Sequence, residues 1–300
     1  MSKQDSCSEH NSHLRAGQFY GHSVNKQRVA GLILSELVHA DGKLLPRHSH
    51  EMGFFSLLLE GAYREFFRTR TIHYRPMTIV WHPPDLTHLD EIGCEGGKFF
   101  TVEVQPDWLD RLREFAAVPD ILFDVHGGDL VWLALRMYRE HKEARGCSPL
   151  VLEGLLLEML ALATRVRLPN EKTPPAWLAR VIDRLHAEFQ HTLLTSDLAS
   201  DAGVHPVHLA AVFRQFHHQT IGEYQQRLRV QFASQLLGDF DLPLVEVAQF
   251  AGFSDQSHLT RLFKRFSGMT PGAFRALLTA GEHVPQAAAL LRNSTLPIRH

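Results

Sequence analysis

Two histidines separated by one residue, His48 and His50, are the first side chains whose type and spacing point to chemistry. Residues two apart on a β-strand lie on the same face, so both imidazoles are expected to face one site. Imidazoles bind zinc, iron or nickel, and they also line ligand pockets or hold loops by hydrogen bonds. The pair therefore predicts a divalent-metal site, a small-molecule pocket or a structural cluster.

Short β-rich runs between about residues 19 and 105 predict the strands that position these histidines. The runs are VAGLILSELVHA, FFSLLLEGAYREFF, MTIVWHPP and KFFTVEV, with turn signals at Asp41-Gly42, Glu60-Gly61, Pro83-Pro84 and Gly96-Gly97. Such punctuation is typical of a small β-barrel or sandwich. Arg64 and Glu65, which follow Gly61, are expected on an exposed strand.

The last third of the chain contains one helix-turn-helix pattern twice, at 198–224 and 247–274. The offset is 49 (248 − 199) before the turn and 50 (263 − 213) after it, so the second turn is one residue longer. The matched pairs are Ala199/Ala248, Ala202/Ala251, Gly203/Gly252, Leu209/Leu259, Phe213/Phe263, Phe216/Phe266, Thr220/Thr270, Gly222/Gly272 and Tyr224/Phe274. Small residues allow close helix crossing, glycine suits the turn, and the helically spaced Leu and Phe positions are expected to face inward.

A single amphipathic helix is predicted over 221–237 between the two copies, with Thr220 and Glu223 as a capping box. Its expected buried positions are Ile221, Tyr224, Leu228, Phe232 and Leu236. Pro206 suits the first turn of one later helix, and Ser254 or Asp255 is expected to cap the other.

These residues resemble the AraC/XylS-type transcription regulators, in which one long helix joins two helix-turn-helix units. The resemblance is carried by the segment from Gly252 to Leu259, by Phe263-Lys264-Arg265-Phe266 and by Thr270-Pro271. It implies sequence-specific binding to double-stranded DNA and a contact with RNA polymerase.

If the Leu and Phe positions face inward, the opposite faces of the second helices are expected to contact DNA. The candidate DNA-binding residues are Val207, His208, Ala210, Ala211, Arg214, Gln256, Ser257, Thr260, Arg261 and Lys264. Arg261 suits bidentate contact with guanine and Gln256 suits adenine. Because the first copy offers mainly Val207 and alanines, the second copy is predicted to carry more of the polar base contacts.

The spacing Gly42-x5-His48-x-His50, followed by Pro83-x-Asp85-x-x-His88, is similar to the two motifs of the cupin barrel. The resemblance implies that His88 joins His48 and His50, either as a divalent-metal site or as part of an effector pocket. The chain departs from the cupin pattern twice: the Phe54-Phe55 region stands where a Glu ligand is usual, and Asp85 stands where a Gly is usual.

After Pro106 the pattern becomes helical, at about 107–117, 129–144 and 149–167. The third helix has more apolar residues than one face needs, which predicts homodimerisation, as in the family, or packing within the chain. The predicted divisions are a disordered N-terminus at 1–16, a cupin-like effector-binding barrel at 17–106, a helical dimerisation or linker region at 107–168, a linker at 169–175, an AraC-type DNA-binding domain at 176–279 and a tail at 280–300.

Composition excludes several classes of protein. A chain of 300 residues with 44% hydrophobic residues and a net charge of −2 is expected to be globular with two domains. Cys7, Cys94 and Cys147 form no CxxC pair, which favours a reducing cytoplasm. The polar N-terminus is unlike a signal peptide, and no apolar run is long enough to predict a membrane span.

The sequence thus predicts an α+β protein: a cupin-like β-barrel with a helical linker region, then an all-α domain with two helix-turn-helix units. The predicted function is a cytoplasmic DNA-binding transcription regulator, not an enzyme, controlled by a small effector in the barrel. One alternative is a cupin-type metal-dependent enzyme fused to a DNA-binding domain. Another is an architectural DNA binder, which is disfavoured because residues 176–280 contain nine Lys/Arg and nine Asp/Glu, a net charge of zero.

Overall fold

The computed structural model describes residues 12–68, 70–114, 120–143, 148–166, 174–217 and 219–279. The chain divides into two compact units, whose described parts lie within residues 12–166 and residues 174–278. The first contains all the described strands, and the second is helical within the described range. The α+β fold class predicted from the sequence is confirmed.

Nine strands form two sheets in the described part of the first unit. They are β1 (Ser12–Leu14), β2 (His22–Val29), β3 (Leu32–His39), β4 (His48–His50), β5 (Gly53–Phe66), β6 (Thr71–Tyr74), β7 (Thr78–His82), β8 (Leu89–Val104) and β9 (Phe123–His126). The larger sheet has the order β2-β3-β8-β5-β7-β9, with β6 paired to β5. This order does not close into a barrel among the described strands, but it is consistent with a cupin-like sheet.

Strand β1 lies inside the segment predicted to be disordered. It pairs in parallel with β4, with Ser12 opposite His48 and Leu14 opposite His50. The short β4 strand thereby gives residues 12–14 backbone partners, which the polar composition of the N-terminus did not indicate.

Two glycine sites predicted as turns lie inside long strands. Glu60-Gly61 belongs to β5 and Gly96-Gly97 to β8, and Gly61 pairs with Gly97 across the sheet. The register shift between Leu58 and Glu60 marks a bulge on β5, whereas the shift between Gly61 and Tyr63 has its extra residues on β8, between Ile92 and Gly97. A Cβ on Gly61, where φ is 79°, would lie 2.1 Å from the carbonyl oxygen of Gly96. The glycines therefore bend two continuous strands together.

Three helices follow or flank these strands: α1 (Pro106–Arg113), α2 (Gly128–Lys142) and α3 (Pro149–Val166). They match the helical segments predicted from the sequence. Helix α2 packs against β7, β9 and α3. Its Tyr138 donates a hydrogen bond to the Oε1 atom of buried Glu36 on β3. This contact fixes α2 to the larger sheet.

Seven helices form the described part of the second unit. They are α4 (Ala176–Glu188), α5 (Thr195–Ala202), α6 (Pro206–His217), α7 (Ile221–Leu236), α8 (Leu244–Phe250), α9 (Gln256–Ser267) and α10 (Pro271–Thr279). Helices α5–α6 and α8–α9 are the two predicted helix-turn-helix copies, and α7 is the predicted connecting helix.

Most of the predicted linker and the tail lie outside the described residues. Within the described ranges, none of the helices is long and apolar enough to cross a membrane.

Candidate nucleic-acid interface and effector cavity

The histidines predicted as a site do come together, in a cavity of ≈ 50 Å³ in the first unit. His48 and His50 on β4 and His88 just before β8 all line it. The ring centroids of His48 and His88 are 4.3 Å apart, and those of His48 and His50 are 5.1 Å apart. The sequence motifs therefore identified one wall of a real cavity.

Phe19 and Tyr20, between β1 and β2, also line this cavity. The Phe19 ring lies 4.8 Å from that of His50, and the Tyr20 ring lies 5.0 Å from that of His48. The segment between β1 and β2 thus covers the histidines, and the three imidazoles are almost fully buried.

Backbone contacts fix the orientation of two imidazoles. The Nδ1 atom of His48 lies 2.8 Å from the carbonyl oxygen of Pro46, and that of His88 lies 3.1 Å from the carbonyl oxygen of Leu86. Because a carbonyl oxygen can only accept, each Nδ1 donates, and in the neutral ring Nε2 keeps its lone pair. The Oδ2 atom of Asp90 lies 3.8 Å from Nε2 of His48 and 3.7 Å from Nε2 of His88.

Glu65, His82 and Asp90 line the same cavity and were missed by the sequence analysis. The expectation that Glu65 lies on an exposed strand is wrong, since the residue is only 2% exposed. The Oε1 atom of Glu65 lies 2.6 Å from Nε2 of His82, and Tyr74 donates a hydrogen bond of 3.0 Å to Oε2. The cavity therefore contains carboxylates as well as imidazoles.

Burial sets the protonation of these groups. Loss of water contact lowers the pKa of His50 to about 2 and those of His82 and His88 to about 4. The same cause raises the pKa values of Glu65 and Asp90 above their ordinary range. Charged forms are thus disfavoured in the cavity, and the four imidazoles are neutral at pH 7.

Asp85, which stands where cupins usually have glycine, has a φ of 62°. Aspartate is one of the few residues other than glycine that adopts this left-handed conformation readily. Asp85 therefore adopts a backbone geometry that glycine adopts most readily, and its amide donates to the carbonyl oxygen of His50.

In the second unit, the residues expected to face inward do so to different degrees. Leu209 and Phe213 of α6 and Leu259 and Phe263 of α9 are fully buried. Phe216 and Phe266 are only partly buried.

The opposite faces of α6 and α9 define the candidate recognition surface. Its exposed members are Val207, His208, Ala211, Arg214, Gln256, Ser257, Arg261 and Lys264, whereas Ala210 and Thr260 are partly buried. The α9 part presents an amide, a hydroxyl and two cationic groups. The α6 part presents Val207, which is 71% exposed, with an alanine, an imidazole and one guanidinium.

The turns before these helices differ as the sequence offset predicts. In the longer second turn, Oδ1 of Asp255 accepts a 2.7 Å hydrogen bond from the His258 amide and caps α9. This bond lowers the pKa of Asp255. In the first copy, the Val207 amide donates to Nδ1 of His205, 3.3 Å away.

The connecting helix α7 begins with the predicted capping box of Thr220 and Glu223. Its sixteen residues span about 24 Å at 1.5 Å per residue. Of the five positions expected to be buried, Ile221 is buried and the other four are partly buried, with Tyr224 and Leu228 packed on the core. Val230, Gln231, Ala233 and Ser234 are buried as well. The reason is that α7 contacts α6 near its start and also packs on α8 and α9, so its buried side is not one stripe.

Comparison with known proteins identifies this arrangement. Residues 198–277 match a family model described as a helix-turn-helix domain. A putative AraC-like transcription regulator of Streptomyces antibioticus is 31% identical over 198 residues, which cover 62% of this chain and 64% of that protein. The second unit contains an AraC-type helix-turn-helix domain. The resemblance predicted from the sequence is thereby confirmed.

Two further proteins show how far the likeness extends. An uncharacterized HTH-type transcriptional regulator of Bacillus subtilis is 27% identical over 256 residues, which cover 78% of this chain and 79% of the Bacillus protein. The solved DNA-binding domain of AdpA, in complex with a target DNA, is 27% identical and covers 36% of this chain and 96% of that chain, with a TM-score of 0.33. The match to the Streptomyces regulator spans less than two thirds of that protein.

Within the AraC-type domain, several basic residues hold the fold together. Arg229 of α7 donates from Nε to the Phe189 carbonyl oxygen at 2.7 Å and from Nη2 to the His191 carbonyl oxygen at 2.8 Å. Arg275 donates to the carbonyl oxygen of Leu242. The nine cationic side chains are thus divided between structure and surface, and Arg214, Arg261 and Lys264 belong to the surface group.

Proposed function

We propose that this protein is a sequence-specific DNA-binding transcription regulator whose first unit binds an effector. The observation that carries the proposal is the duplicated helix-turn-helix, in which buried Leu and Phe side chains turn Arg261 and its neighbours toward solvent. The matched AraC-type domain and the regulators among its relatives support it. A cytoplasmic location and a contact with RNA polymerase, implied by the family, belong to the same proposal.

The two helix-turn-helix copies are proposed to contribute unequally to the sequence specificity of DNA binding. The exposed Gln256 and Arg261 suit adenine and guanine, whereas exposed Val207 and Ala211 suit only apolar contact with thymine methyls. Lys264 and Arg214 are proposed to contact phosphates.

Homodimerisation is proposed to occur through α3. Its Leu150 is 80% exposed, Leu157 is 44% exposed and Val151 is 40% exposed, although the helix is otherwise packed on α2. A second copy of the chain would remove this apolar surface from water.

The second candidate function is a cupin-type metal-dependent enzyme fused to a DNA-binding domain. One observation favours it, the presence of carboxylates in the histidine cavity. Glu65 and Asp90 provide the acidic group whose absence from the motif disfavours a cupin-type enzyme. At ≈ 50 Å³ the cavity is well below the roughly 300–1,000 Å³ of usual small-molecule sites, so it leaves no room for an organic substrate and suits only a very small effector. His48, His50 and His88 are therefore proposed to form part of the wall around a very small effector.

The test is a footprint on the DNA that flanks the gene for this protein, followed by binding measurements on the protected site. Arg261→Ala is expected to weaken binding by about 1–3 kcal/mol and to relax the preference at one base pair. Arg136→Ala, which removes an exposed arginine of α2, is the control for net charge. No protected site, or equal effects of the two variants, would contradict the proposal.

A further inference from the structure

Two groups of three side chains in the histidine cavity are close enough to hold a metal ion. One is His48, His50 and His88, and the other is Glu65, His82 and His88, each with its ligand atoms within 4.8 Å of one another. Only the first group corresponds to the cupin motifs in the sequence. The second group is brought together by the fold, and no sequence motif indicated it.

His88 belongs to both groups, and this limits the number of ions. Its Nδ1 donates to the Leu86 carbonyl oxygen, so the neutral ring has one lone pair, on Nε2. One lone pair binds one ion. The two groups are therefore competing or complementary parts of a single site.

Charge favours the group that contains Glu65. Three neutral imidazoles bring no negative charge to a buried divalent ion as ligands, whereas Glu65 brings one in direct contact with the ion. Asp90, whose Oδ2 is within 3.8 Å of two imidazole nitrogens, can provide a second. In turn, a cation would stabilise the ionised form of both carboxyl groups.

The surroundings of Glu65 and His82 resemble the outer contacts of metal ligands. Tyr74 donates to Oε2 of Glu65, which leaves Oε1 directed at His82. Buried Nδ1 of His82, Nδ1 of His50 and Oδ1 of Asp90 have no hydrogen-bond partner among the described residues. A water bound to an ion in the cavity is one group that could satisfy such atoms.

The volume of the cavity agrees with a bound ion. A water molecule needs roughly 10–15 Å³ of cavity, so ≈ 50 Å³ accommodates an ion with a few waters. We propose that the cavity binds one divalent transition-metal ion through His88, His82 and Glu65, with Asp90 as an adjacent negative charge. Two imidazoles and a carboxylate suit zinc, iron, cobalt or nickel rather than calcium or magnesium.

The test is calorimetric titration of the untagged full chain with Zn²⁺, together with the absorption spectrum of the Co²⁺ form. The expected stoichiometry is one ion per chain. Glu65→Gln and His82→Asn are each expected to weaken Zn²⁺ binding by more than about 100-fold, beyond the usual effect of losing an outer contact, and to change the Co²⁺ spectrum. His50→Asn is expected to change affinity by only a few-fold.

Two further variants separate coordination from a folding defect. Tyr74→Phe removes only the hydroxyl that positions Glu65, and about 10-fold weaker binding is expected. Glu60→Gln changes a buried carboxylate of the same strand that does not line the cavity, and its affinity should equal that of the unchanged protein. No binding by the unchanged protein, or loss in His50→Asn with none in Glu65→Gln and His82→Asn, would overturn the proposed ligand set.

A role for the ion as the effector rests on the proposed function and has a separate readout. DNA footprints with and without Zn²⁺ should differ for the unchanged protein and be the same for Glu65→Gln. Metal binding without any change in the footprint would refute the regulatory role of the ion but not the metal site. A protein that binds Zn²⁺ but no DNA would refute the proposed function and not the metal site.

Discussion

The two matched turn glycines of the AraC-type domain should respond differently to the same substitution. Gly203 has a φ of 70° and Gly252 a φ of 80°, so alanine is strained at both. A Cβ on Gly203 would meet nothing within 4 Å. On Gly252 it would lie 2.2 Å from the carbonyl oxygen of Gln190 and 2.7 Å from its Cα.

These distances set the expected magnitudes. Left-handed strain costs an alanine roughly 1–2 kcal/mol, which applies to both variants. The contact with Gln190 involves backbone atoms, so it cannot be relieved by a rotamer change, and overpacking of this kind costs about 1–3 kcal/mol more. Gly252→Ala should therefore destabilise its helix-turn-helix copy by about 2–5 kcal/mol, and Gly203→Ala by about 1–2 kcal/mol.

Hydrogen exchange measured by mass spectrometry can report the loss of stability separately for each helix-turn-helix copy. In Gly252→Ala, amides of α8 and α9 should lose the larger share of their protection, and in Gly203→Ala the smaller loss should appear in α5 and α6. Each variant thus contains the other copy as an internal reference. Equal losses, or a greater loss in Gly203→Ala, would show that Gln190 does not constrain the second turn.

Two other predictions concern the first unit. Leu157→Glu on α3 should convert a dimer to a monomer in light-scattering measurements, whereas Leu44→Glu, at another leucine that is 61% exposed, should not; an unchanged mass for Leu157→Glu would exclude this helix from the interface. Burial, partly offset by Lys98, raises the pKa of Glu60 to about 6 from 4.5, so this carboxyl binds its proton more tightly when folded and reduces the free energy of unfolding as pH rises through that range. Glu60→Gln should remove that part of the pH dependence in urea unfolding, and superimposable pH profiles would refute it.

The second unit could be predicted closely because its information is local. Helical spacing identified Leu209, Phe213, Leu259 and Phe263 as the buried positions, since one face of a helix repeats every three or four residues. The capping box at Thr220 also depends on neighbours three residues apart. The role of Arg229 could not be predicted, because its partners at residues 189 and 191 lie about 40 positions away in the chain.

The sequence analysis did not place Glu65 in the cavity because β5 is not a regular strand. On a regular strand, residues of equal parity share a face, so a strand that puts Phe54 and Ser56 into the cavity would turn Glu65 outward. The bulge between Leu58 and Glu60 adds one residue on β5 and changes that parity, so the line of inward-facing residues continues as Tyr63 and Glu65.

The bend in β5 matters as much as its parity. Phe54 pairs with His82, and a straight strand would carry residue 65 about 36 Å beyond that pair, at 3.3 Å per residue. Instead, the carboxylate of Glu65 lies 2.6 Å from the His82 ring. The Glu60-Gly61 and Gly96-Gly97 pairs, interpreted from sequence as turn signals, bend two long strands together and bring distant side chains to one cavity. Glycine in a β-rich run signals either event, and only the cross-strand pairing of Gly61 with Gly97 distinguishes them.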